Sequence, residues 1–288
     1  MPGFIKDREK TELIIGAVVM GLALVLLITA IIVMTSCTAR DPSNGETTAS
    51  TTQSHATEPT LPPLTPNPYH AGDFAYRDGY LSCLSGQYML GVDVSSHQND
   101  IDWEKVAGAG MEFAMIRIGY RGYSNGELKE DTHWQKNLQG ARENGLLVGV
   151  YFFSQAITIQ EAVEEAQYVL QWLDGTQLDL PIVFDWEPIS DTARTANMDA
   201  ETLNACALAF GGQVTKAGYR AMVYFNLDTS TRLLDLRQLQ QSGFDFWLAQ
   251  YTDTMTYPNR IDMWQYTDGG TVPGISGNVD LDLYFTYE

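Results

Sequence analysis

Short apolar strands alternate with helical segments from residue 89 to the C-terminus, and this alternation limits the folds open to the chain. The strand-like run Leu147–Ser154, for example, contains no polar residue before its last position. Continuous apolar strands that are linked by helices are typical of a parallel sheet covered on both faces. Eight such strands in roughly 200 residues predict an α/β fold, a TIM-like (β/α) barrel whose last units lack helices.

The predicted strands are Met89–Ser95, Phe113–Tyr120, Leu147–Ser154, Pro181–Glu187, Ala221–Asn226, Phe246–Tyr251, Ile261–Tyr266 and Val279–Phe285. The predicted helices are Ile101–Ala109, Thr132–Asn144, Ile159–Leu173, a helix capped by Asp199 and running to Ala217, and Ser230–Gln241. An open doubly wound sheet is the alternative fold. A glycine-rich phosphate loop after the first strand would favour it, but the sequence there is Asp93–Gln98, without glycine.

The N-terminal region carries a second strong pattern. Leu13–Met34 is uncharged and almost wholly apolar, and at about 1.5 Å per residue it can cross a hydrocarbon core of about 30 Å. Lys6, Arg8 and Lys10 precede this run and only Arg40 follows closely, so the positive-inside rule predicts a cytoplasmic N-terminus. We therefore expect a single-pass protein of the cell membrane whose remaining part lies outside the cell.

The predicted organisation has four segments. A cytoplasmic N-terminus (1–12) precedes a transmembrane helix (13–34), an extracellular linker rich in Thr, Ser and Pro (35–87), and a catalytic domain (88–288). The linker composition cannot bury a core and resists helix formation, so an extended spacer is expected. A lipid-anchored alternative at Cys37 stays open, although the residues before it match a lipidation site poorly.

Composition excludes several functional classes. The formal net charge of −19 argues against a nucleic-acid partner, because binding of phosphates needs a basic face. The three cysteines and four histidines show no spacing typical of metal ligands, so we expect no metal and no cofactor. Cys83 and Cys206 could form a disulfide outside the cell, or Cys206 could be a buried small residue of its helix.

Acidic residues stand at three strand ends. The first strand ends on Asp93, the fourth on Asp185 and Glu187, and the last on Asp280 and Asp282. Carboxylates are costly next to apolar runs unless they are paired or functional, and active sites of parallel α/β folds gather where strands end. Each acid alone could be a helix cap or a salt-bridged rim residue, but the three ends together predict a site.

The segment Pro181–Glu187 is the most informative one. Residues two apart on a strand share a face, with Cα atoms about 6.6 Å apart, so Asp185 and Glu187 should both point into the barrel mouth while Trp186 points into the surrounding packing. Two neighbouring carboxylates repel each other, and one pKa is therefore expected to rise. Glycoside hydrolysis needs such a pair, in which one acid protonates the leaving oxygen and one carboxylate stabilises positive charge at the anomeric carbon.

Aromatic and amide side chains accompany the acids and suggest sugar subsites. Aromatic rings pack well against the apolar face of a pyranose, and glutamine amides can bond hydroxyl or acetamido groups. The candidates for substrate contact are Tyr151, Trp247, Trp264 and Gln265, each near a strand end. Ordinary barrel packing is the competing interpretation for these residues.

Four motifs together resemble the family 25 glycoside hydrolases. They are Gly91–Gln98, Phe184–Glu187, Trp264–Tyr266 and Gly277–Asp282, and they occur in the family's order. The resemblance runs from about residue 90 to the C-terminus. It implies a flattened (β/α) barrel with an incomplete last part, and a lysozyme that cleaves the β-1,4 bond between N-acetylmuramic acid and N-acetylglucosamine in peptidoglycan strands. The tryptophan between the two acids of the pair departs mildly from the family's usual small aliphatic residue.

The resemblance also implies roles for the acids. Glu187 matches the general acid, Asp185 its partner at the reacting sugar, and Asp93 a further acid at the site floor. The last acid of the family falls on Asp280, with Asp282 close enough to compete for that role or to contact substrate. Substrate-assisted retention, in which the 2-acetamido group attacks the anomeric carbon, is the mechanistic hypothesis, and direct activation of water is its alternative.

Three other functions are consistent with parts of the sequence. A non-catalytic wall-binding module would keep the aromatic residues and need none of the acids. A metal-dependent esterase or deacetylase would need more histidines than His97 and His133 supply in the folded part. A chitinase-like enzyme would be expected to carry more acids in the strand that holds Asp185 and Glu187.

Overall fold

The computed structural model describes residues 61–287. The predicted cytoplasmic segment 1–12, the predicted transmembrane helix 13–34 and residues 35–60 of the predicted linker lie outside this range. Within residues 61–287, no helix is both long and apolar enough to cross a membrane.

Eleven strands and six α-helices are seen in residues 61–287. The strands are β1 (Phe74–Arg77), β2 (Tyr80–Cys83), β3 (Gln87–Val94), β4 (Phe113–Arg121), β5 (Leu128–Glu130), β6 (Leu147–Ser154), β7 (Ile182–Trp186), β8 (Ala221–Asn226), β9 (Asp245–Ala249), β10 (Met263–Gly270) and β11 (Val279–Thr286). The helices are α1 (Trp103–Gly108), α2 (Trp134–Glu143), α3 (Ile159–Leu173), α4 (Ala200–Lys216), α5 (Leu227–Arg232) and α6 (Leu236–Gln241).

Eight strands close into a barrel, in the order β3, β4, β6, β7, β8, β9, β10 and β11. Seven of them are parallel neighbours from β3 to β10, and β11 closes the ring between β10 and β3. The short strand β5 forms an antiparallel hairpin with β4 outside the ring. The (β/α) barrel prediction is therefore confirmed in its strand number, and no helix follows β9 or β10, as expected.

The direction of the last strand was not predicted. β11 runs antiparallel to both of its neighbours. Asp280 and Asp282 therefore lie near the start of their strand rather than at its end. Because the strand is reversed, its start reaches the same rim of the barrel as the carboxyl ends of the parallel strands.

The helix predicted at Ser230–Gln241 is wrong, since two short helices, α5 and α6, occupy this region. Asn226 caps α5 by accepting from the Thr229 backbone N–H. Asp235 caps α6 in the same way at Gln238. A side chain that accepts these backbone N–H groups favours a helix start, so Asp235 begins a new helix where a continuous one was expected. The other predicted helices are present within a few residues of their expected bounds.

The folded unit begins earlier than residue 88. Strands β1 and β2 form a hairpin whose Phe74 and Leu81 are buried in the core. The Phe74 ring stacks edge-on against Trp264 at 5.0 Å, and the Leu81 N–H donates to the Tyr266 hydroxyl over 3.4 Å. The hairpin thereby covers the outer side of β10, where the barrel lacks a helix. This part of the predicted 35–87 linker is folded because its apolar residues complete that packing layer.

The segment just before the hairpin is also paired with the domain. Thr65 O accepts from the Arg260 N–H over 2.7 Å, and the Asn67 N–H donates to Pro258 O over 2.9 Å. The Tyr69 ring packs on Phe285 with ring centres 4.8 Å apart. These contacts place residues 65–67 on the connection that leads into β10, and Tyr69 on β11.

Two apolar layers hold the barrel together. The inner layer fills the barrel below its mouth and consists of Phe113, Met115, Leu180, Val183, Met222, Tyr224, Trp247, Ala249, Met263 and Tyr284. The outer layer lies between the strands and their helices and includes Trp186, Trp264 and Tyr266. The cysteines of the described part, Cys83 and Cys206, are both buried and both free, so they do not pair with each other.

Candidate active site

A cavity of about 210 Å³ opens at the end of the barrel where the parallel strands terminate. Its walls are mostly polar and aromatic. The lining residues are Asp93, Ser95, His97, Gln98, Arg117, Tyr151, Phe153, Asp185, Glu187, Tyr224, Trp247, Tyr251, Gln265 and Asp280. All four predicted catalytic acids are therefore brought together in one cavity.

Asp185 and Glu187 both line this cavity, as their spacing on one strand predicts. Asp185 is the penultimate residue of β7, and Glu187 directly follows that strand. Trp186, between them, is 4% exposed and packs in the outer layer. Asp185 is buried deeper than Glu187, whose side chain is partly open to the cavity. The two carboxyl groups consequently have different access to a substrate.

The surroundings of Asp185 and Glu187 favour the protonated form of their carboxyl groups. Burial raises the pKa of Asp185 well above its usual range, the neighbouring charge of Glu187 adds to this, and Arg117 opposes it. Burial likewise raises the pKa of Glu187, together with the charge of Asp280. No N–H or O–H of residues 61–287 donates to the buried Oδ1 of Asp185. An unpartnered, buried carboxyl oxygen disfavours the ionised form.

Arg117 is a site residue that the sequence interpretation missed. It lies in the middle of β4 and is the one arginine that lines the cavity. Nε donates to Asp131 Oδ2 over 2.9 Å, and one terminal nitrogen donates to Ser96 Oγ over 3.2 Å. An arginine within an otherwise apolar strand was a usable signal, because burial of a charge is costly unless it is paired.

Gln265 links the acids on the other side of the cavity. Its Nε2 donates to Asp93 Oδ2 over 2.7 Å and to Asp280 Oδ2 over 3.4 Å. Its Oε1 accepts from the hydroxyls of Tyr224 and Tyr251 over 2.8 and 3.1 Å. Because two hydroxyl donors hold the amide oxygen, the amide nitrogen faces the carboxylates. Gln265 is thus placed to order the acids at the cavity floor.

Asp93 and Asp280 are directly opposite each other in the β3–β11 pairing. Burial raises the pKa of Asp93, and the charges of Asp280 and Asp282 raise it further. Burial also raises the pKa of Asp280 to about 6, with Asp268 contributing. Three carboxyl groups within one small region cannot all ionise at low cost, so this cluster also holds protons.

Asp282 does not reach the cavity. It is fully buried, two residues further along β11, and opposite Gly91 rather than Asp93. Trp247 Nε1 donates to its Oδ1 over 2.8 Å, whereas its buried Oδ2 receives no hydrogen bond from residues 61–287. The Asp282 carboxyl lies close enough to that of Asp93 to raise the pKa of Asp93. The prediction that Asp282 contacts substrate is therefore wrong. Asp282 instead lies beneath the cavity floor and supports it.

Among the predicted aromatic contacts, Tyr151 and Trp247 line the cavity, and their rings stack edge-on at 6.0 Å. Trp264 does not, because it is fully buried in the outer layer and its Nε1 donates to Gln250 O over 2.9 Å. Adjacent residues of a strand face opposite sides, so Gln265 can point inward only if Trp264 points outward. Tyr251, 54% exposed at the mouth, is the most accessible ring of the cavity.

Residues 61–287 contain no group of three or more His, Cys, Asp or Glu side chains arranged to hold a metal ion. His97 lines the cavity, whereas His133 lies at the start of α2, away from it. What the cavity offers is paired acids, aromatic faces and a glutamine amide.

A barrel with paired acids at the carboxyl end of a central strand defines the class of glycoside-cleaving barrel enzymes. Residues 92–275 match the profile of Glycosyl hydrolases family 25. The chain belongs to this family.

Individual relatives agree with that assignment. YegX of Escherichia coli O6:H1 is 31% identical over 209 residues, which cover 67% of this chain and 68% of YegX. The autolytic lysozyme of Clostridium acetobutylicum is 26% identical over 207 residues, covering 68% of this chain and 56% of that protein. The structure of a family 25 glycosyl hydrolase from Bacillus anthracis superposes with a TM-score of 0.58 at 20% identity, over 77% of this chain and 95% of the other. That structure shows the shared fold.

Proposed function

We propose that this chain is a lysozyme that hydrolyses the β-1,4 bond between N-acetylmuramic acid and N-acetylglucosamine in peptidoglycan. The observation that carries the proposal is the Asp185–Glu187 pair, which lines a cavity of about 210 Å³ at the barrel mouth. Family 25 membership and the similarity to an autolytic lysozyme support this choice of substrate.

Glu187 is the proposed proton donor. Its carboxyl group is partly open to the cavity, where the oxygen of a leaving sugar can approach it. Burial and the charge of Asp280 raise its pKa, so it keeps its proton closer to neutral pH than an exposed glutamate does. A general acid works best when its pKa lies near the working pH.

Asp185 is the proposed partner at the reacting sugar. Its deeper position suits a group that orients the 2-acetamido substituent rather than one that protonates a leaving group. In the proposed route, the acetamido oxygen attacks the anomeric carbon, the bond to the leaving oxygen breaks, and Glu187 transfers its proton to that oxygen. Water then opens the cyclic intermediate and returns a proton to Glu187, with net retention at the anomeric carbon. Asp93, Asp280 and Gln265 form the floor, where the negative charge that Asp280 carries above about pH 6 stabilises the developing positive charge.

The rings around the cavity are the proposed sugar contacts. Tyr151 and Trp247 form its wall, and Tyr251 stands at its mouth. A pyranose ring has an apolar face that packs on such rings. Tyr251 has the largest accessible area among them and is the proposed platform for the sugar that enters first.

The proposed setting is the outer surface of the cell membrane. The uncharged run 13–34 supports a single membrane-spanning helix, and the cations before it support a cytoplasmic N-terminus. A Thr-, Ser- and Pro-rich spacer would then hold the barrel near the membrane, where its substrates are the nearby peptidoglycan strands. Reactivity of residues before and after 13–34 toward an impermeant reagent in intact cells tests this topology.

The activity is tested by incubating purified peptidoglycan with the chain and with Glu187→Gln. Mass spectrometry of the products should show fragments that end in reducing N-acetylmuramic acid for the wild type and none for the variant. Proton NMR of the first products should show the β-anomer. Fragments ending in reducing N-acetylglucosamine would contradict the assigned bond, an initial α-anomer would contradict the retaining route, and binding without any release would indicate a wall-binding module.

A further inference from the structure

The main chain of Glu187 is held by a buried side chain that lies outside the cavity. Gln155 directly follows β6 and is fully buried. Its Nε2 donates to the main-chain oxygen of Glu187 over 2.9 Å, and its Oε1 accepts from Thr195 Oγ1 over 2.9 Å. One amide thus connects the end of β6, the proposed proton donor and the loop that follows it.

This contact replaces a hydrogen bond that the sheet cannot supply. The pairing of β6 with β7 ends at Ser154 and Trp186, and the pairing of β7 with β8 already ends at Asp185. The peptide group of Glu187 therefore lies beyond the last pair of the ladder on both sides. The Gln155 side chain extends the pairing by one residue, at the position that carries the functional carboxyl group.

The Gln155 backbone is itself anchored by the loop after β7. Arg194 donates to Gln155 O over 2.8 Å and binds both oxygens of Glu161 over 2.6 and 3.0 Å. Thr195, next in sequence, is buried. The loop and the end of β6 therefore fix each other around the amide.

A second buried group fixes the residue before Gln155. Ser154 Oγ donates to Glu165 Oε2 over 2.6 Å, and Arg121 Nε donates to Glu165 Oε1 over 2.7 Å. All three side chains are buried between β4, β6 and α3. Buried, fully paired groups of this kind specify one arrangement, because any displacement leaves a charge or a donor unpaired.

We propose that Gln155 is a positioning residue for Glu187, which sets the place of its carboxyl group by fixing its main chain. The inference deepens the proposed lysozyme function, on which the role of Glu187 as proton donor rests. Gln155 touches no substrate, and nothing in its position gives it a chemical step. By fixing the main chain of Glu187, Gln155 keeps the Glu187 carboxyl group inside the cavity and close to that of Asp185.

The test uses Gln155→Met in the full chain, because methionine has a similar size and adds no charge. Replacement frees the Glu187 carbonyl, so the carboxyl group relaxes toward solvent. The pKa of Glu187 should then fall by about half a unit or more, since it loses part of the burial that raises it. The turnover number should fall about tenfold or more, with the Michaelis constant for soluble peptidoglycan fragments within about twofold of the wild type. The pKa is measured by NMR titration of ¹³C-labelled glutamate, with the signal assigned through Glu187→Gln.

Thr195 supplies a graded pair of variants. Thr195→Val removes the hydroxyl that holds the amide oxygen of Gln155, and Thr195→Ser keeps it. The valine variant should move the pKa of Glu187 in the same direction as Gln155→Met but less far, and the serine variant should titrate like the wild type. Val214→Ala is the matched control, because Val214 is fully buried in α4 and contributes to stability without contacting this group.

The outcomes separate the two proposals. Gln155→Met and Val214→Ala showing the same Glu187 titration at equal loss of melting temperature would overturn the positioning role. A wild-type chain that releases no sugar from peptidoglycan, but whose Glu187 titration still responds to Gln155→Met, would leave the positioning role standing and remove the lysozyme function. Turnover that is unchanged in Gln155→Met would remove the positioning role alone.

Discussion

Gln265 Nε2 lies 2.7 Å from Asp93 Oδ2, and this hydrogen bond fixes the acid that lies opposite Asp280 across two strands. The amide can serve the acids only because tyrosine hydroxyls hold its oxygen on the other side. A carboxyl group in the same place would face two acids and lose the donor. By donating to both Asp93 and Asp280, the Gln265 amide stabilises two adjacent carboxyl groups at the cavity floor.

The variant Gln265→Glu is expected to lose activity about 100-fold, because it replaces the donated hydrogen bond by a further carboxyl group in a buried cluster. The release of reducing ends from peptidoglycan measures this loss. Gln250→Glu is the matched control, since its side chain bonds Thr256 rather than the acids. Equal activity of the two variants would show that the floor does not depend on Gln265.

The pH dependence of activity should respond to Asp280→Asn in a defined direction. A general acid works only when protonated, so activity falls as pH rises through the pKa of Glu187. Burial and the charge of Asp280 raise that pKa, and burial raises the pKa of Asp280 itself to about 6. Above about pH 6 Asp280 is ionised, and its replacement by asparagine lowers the pKa of Glu187.

The alkaline limb of the pH–rate profile should accordingly move to lower pH in Asp280→Asn. Normalised profiles of the ratio of turnover number to Michaelis constant report the free enzyme and provide the measurement. Asp253→Asn removes an exposed carboxylate of the loop after β9 and should leave the limb in place, because exposed charges are screened. A shift to higher pH in Asp280→Asn would contradict the assigned charge coupling.

Asp282 should tolerate asparagine but not alanine. Asp93 and Asp282 are both buried, and burial raises the pKa of each well above its usual range, so a proton should be held between these two neighbouring carboxyl groups. Asparagine can donate to Asp93 and still accept from Trp247. Alanine leaves the buried Trp247 N–H unpaired and opens a void, at a cost of about 3 kcal/mol in the free energy of unfolding. Denaturant unfolding of both variants measures the difference, and equal stability would contradict the shared proton.

The sequence was sufficient for the strands, for most helices and for the shared face of Asp185 and Glu187, because strand alternation and apolar runs are local properties. It was insufficient where tertiary context decides. The direction of β11 depends on how the barrel closes, and no pattern of neighbouring residues in the sequence predicts it. The burial of Asp282 beneath Asp280 follows from that direction, since the two residues share a face but lie at different depths.

Two misses have different physical origins. Trp264 and Gln265 are adjacent on one strand, so strand geometry already forbids that both line the cavity, and the inward glutamine excludes the tryptophan. The hairpin of β1 and β2 could not be predicted from strand alternation, because its apolar residues are few and follow a proline-rich stretch. Its fold depends on the exposed flank of β10 that the missing helix leaves.

Trp264 and Trp247 should therefore respond differently to phenylalanine. Trp264→Phe removes the hydrogen bond to Gln250 O and some outer-layer packing, which should cost on the order of 2 kcal/mol of stability and leave the Michaelis constant unchanged. Trp247→Phe removes a cavity wall and the donor to Asp282, and it should raise the Michaelis constant as well. Melting temperatures and kinetics on soluble fragments separate the two effects. A raised Michaelis constant in Trp264→Phe would place that ring near the substrate.

A shortened chain that begins at residue 88 should be much less stable than one that begins at residue 61. The shorter chain lacks the β1–β2 hairpin, so the outer faces of Trp264, Tyr266 and Phe285 become exposed to water. It also lacks the pairing of residues 65–67 with the connection before β10. Exposure of a contiguous apolar face weakens folding and promotes association, because the apolar area removed from water on folding drives stability. Melting temperature and light scattering of the two chains provide the measurement.

Supplying residues 61–87 as a separate peptide should partly restore the melting temperature of the shorter chain. A peptide with Phe74→Ser and Leu81→Ser should not restore it, because the hairpin stabilises the barrel through those two buried side chains.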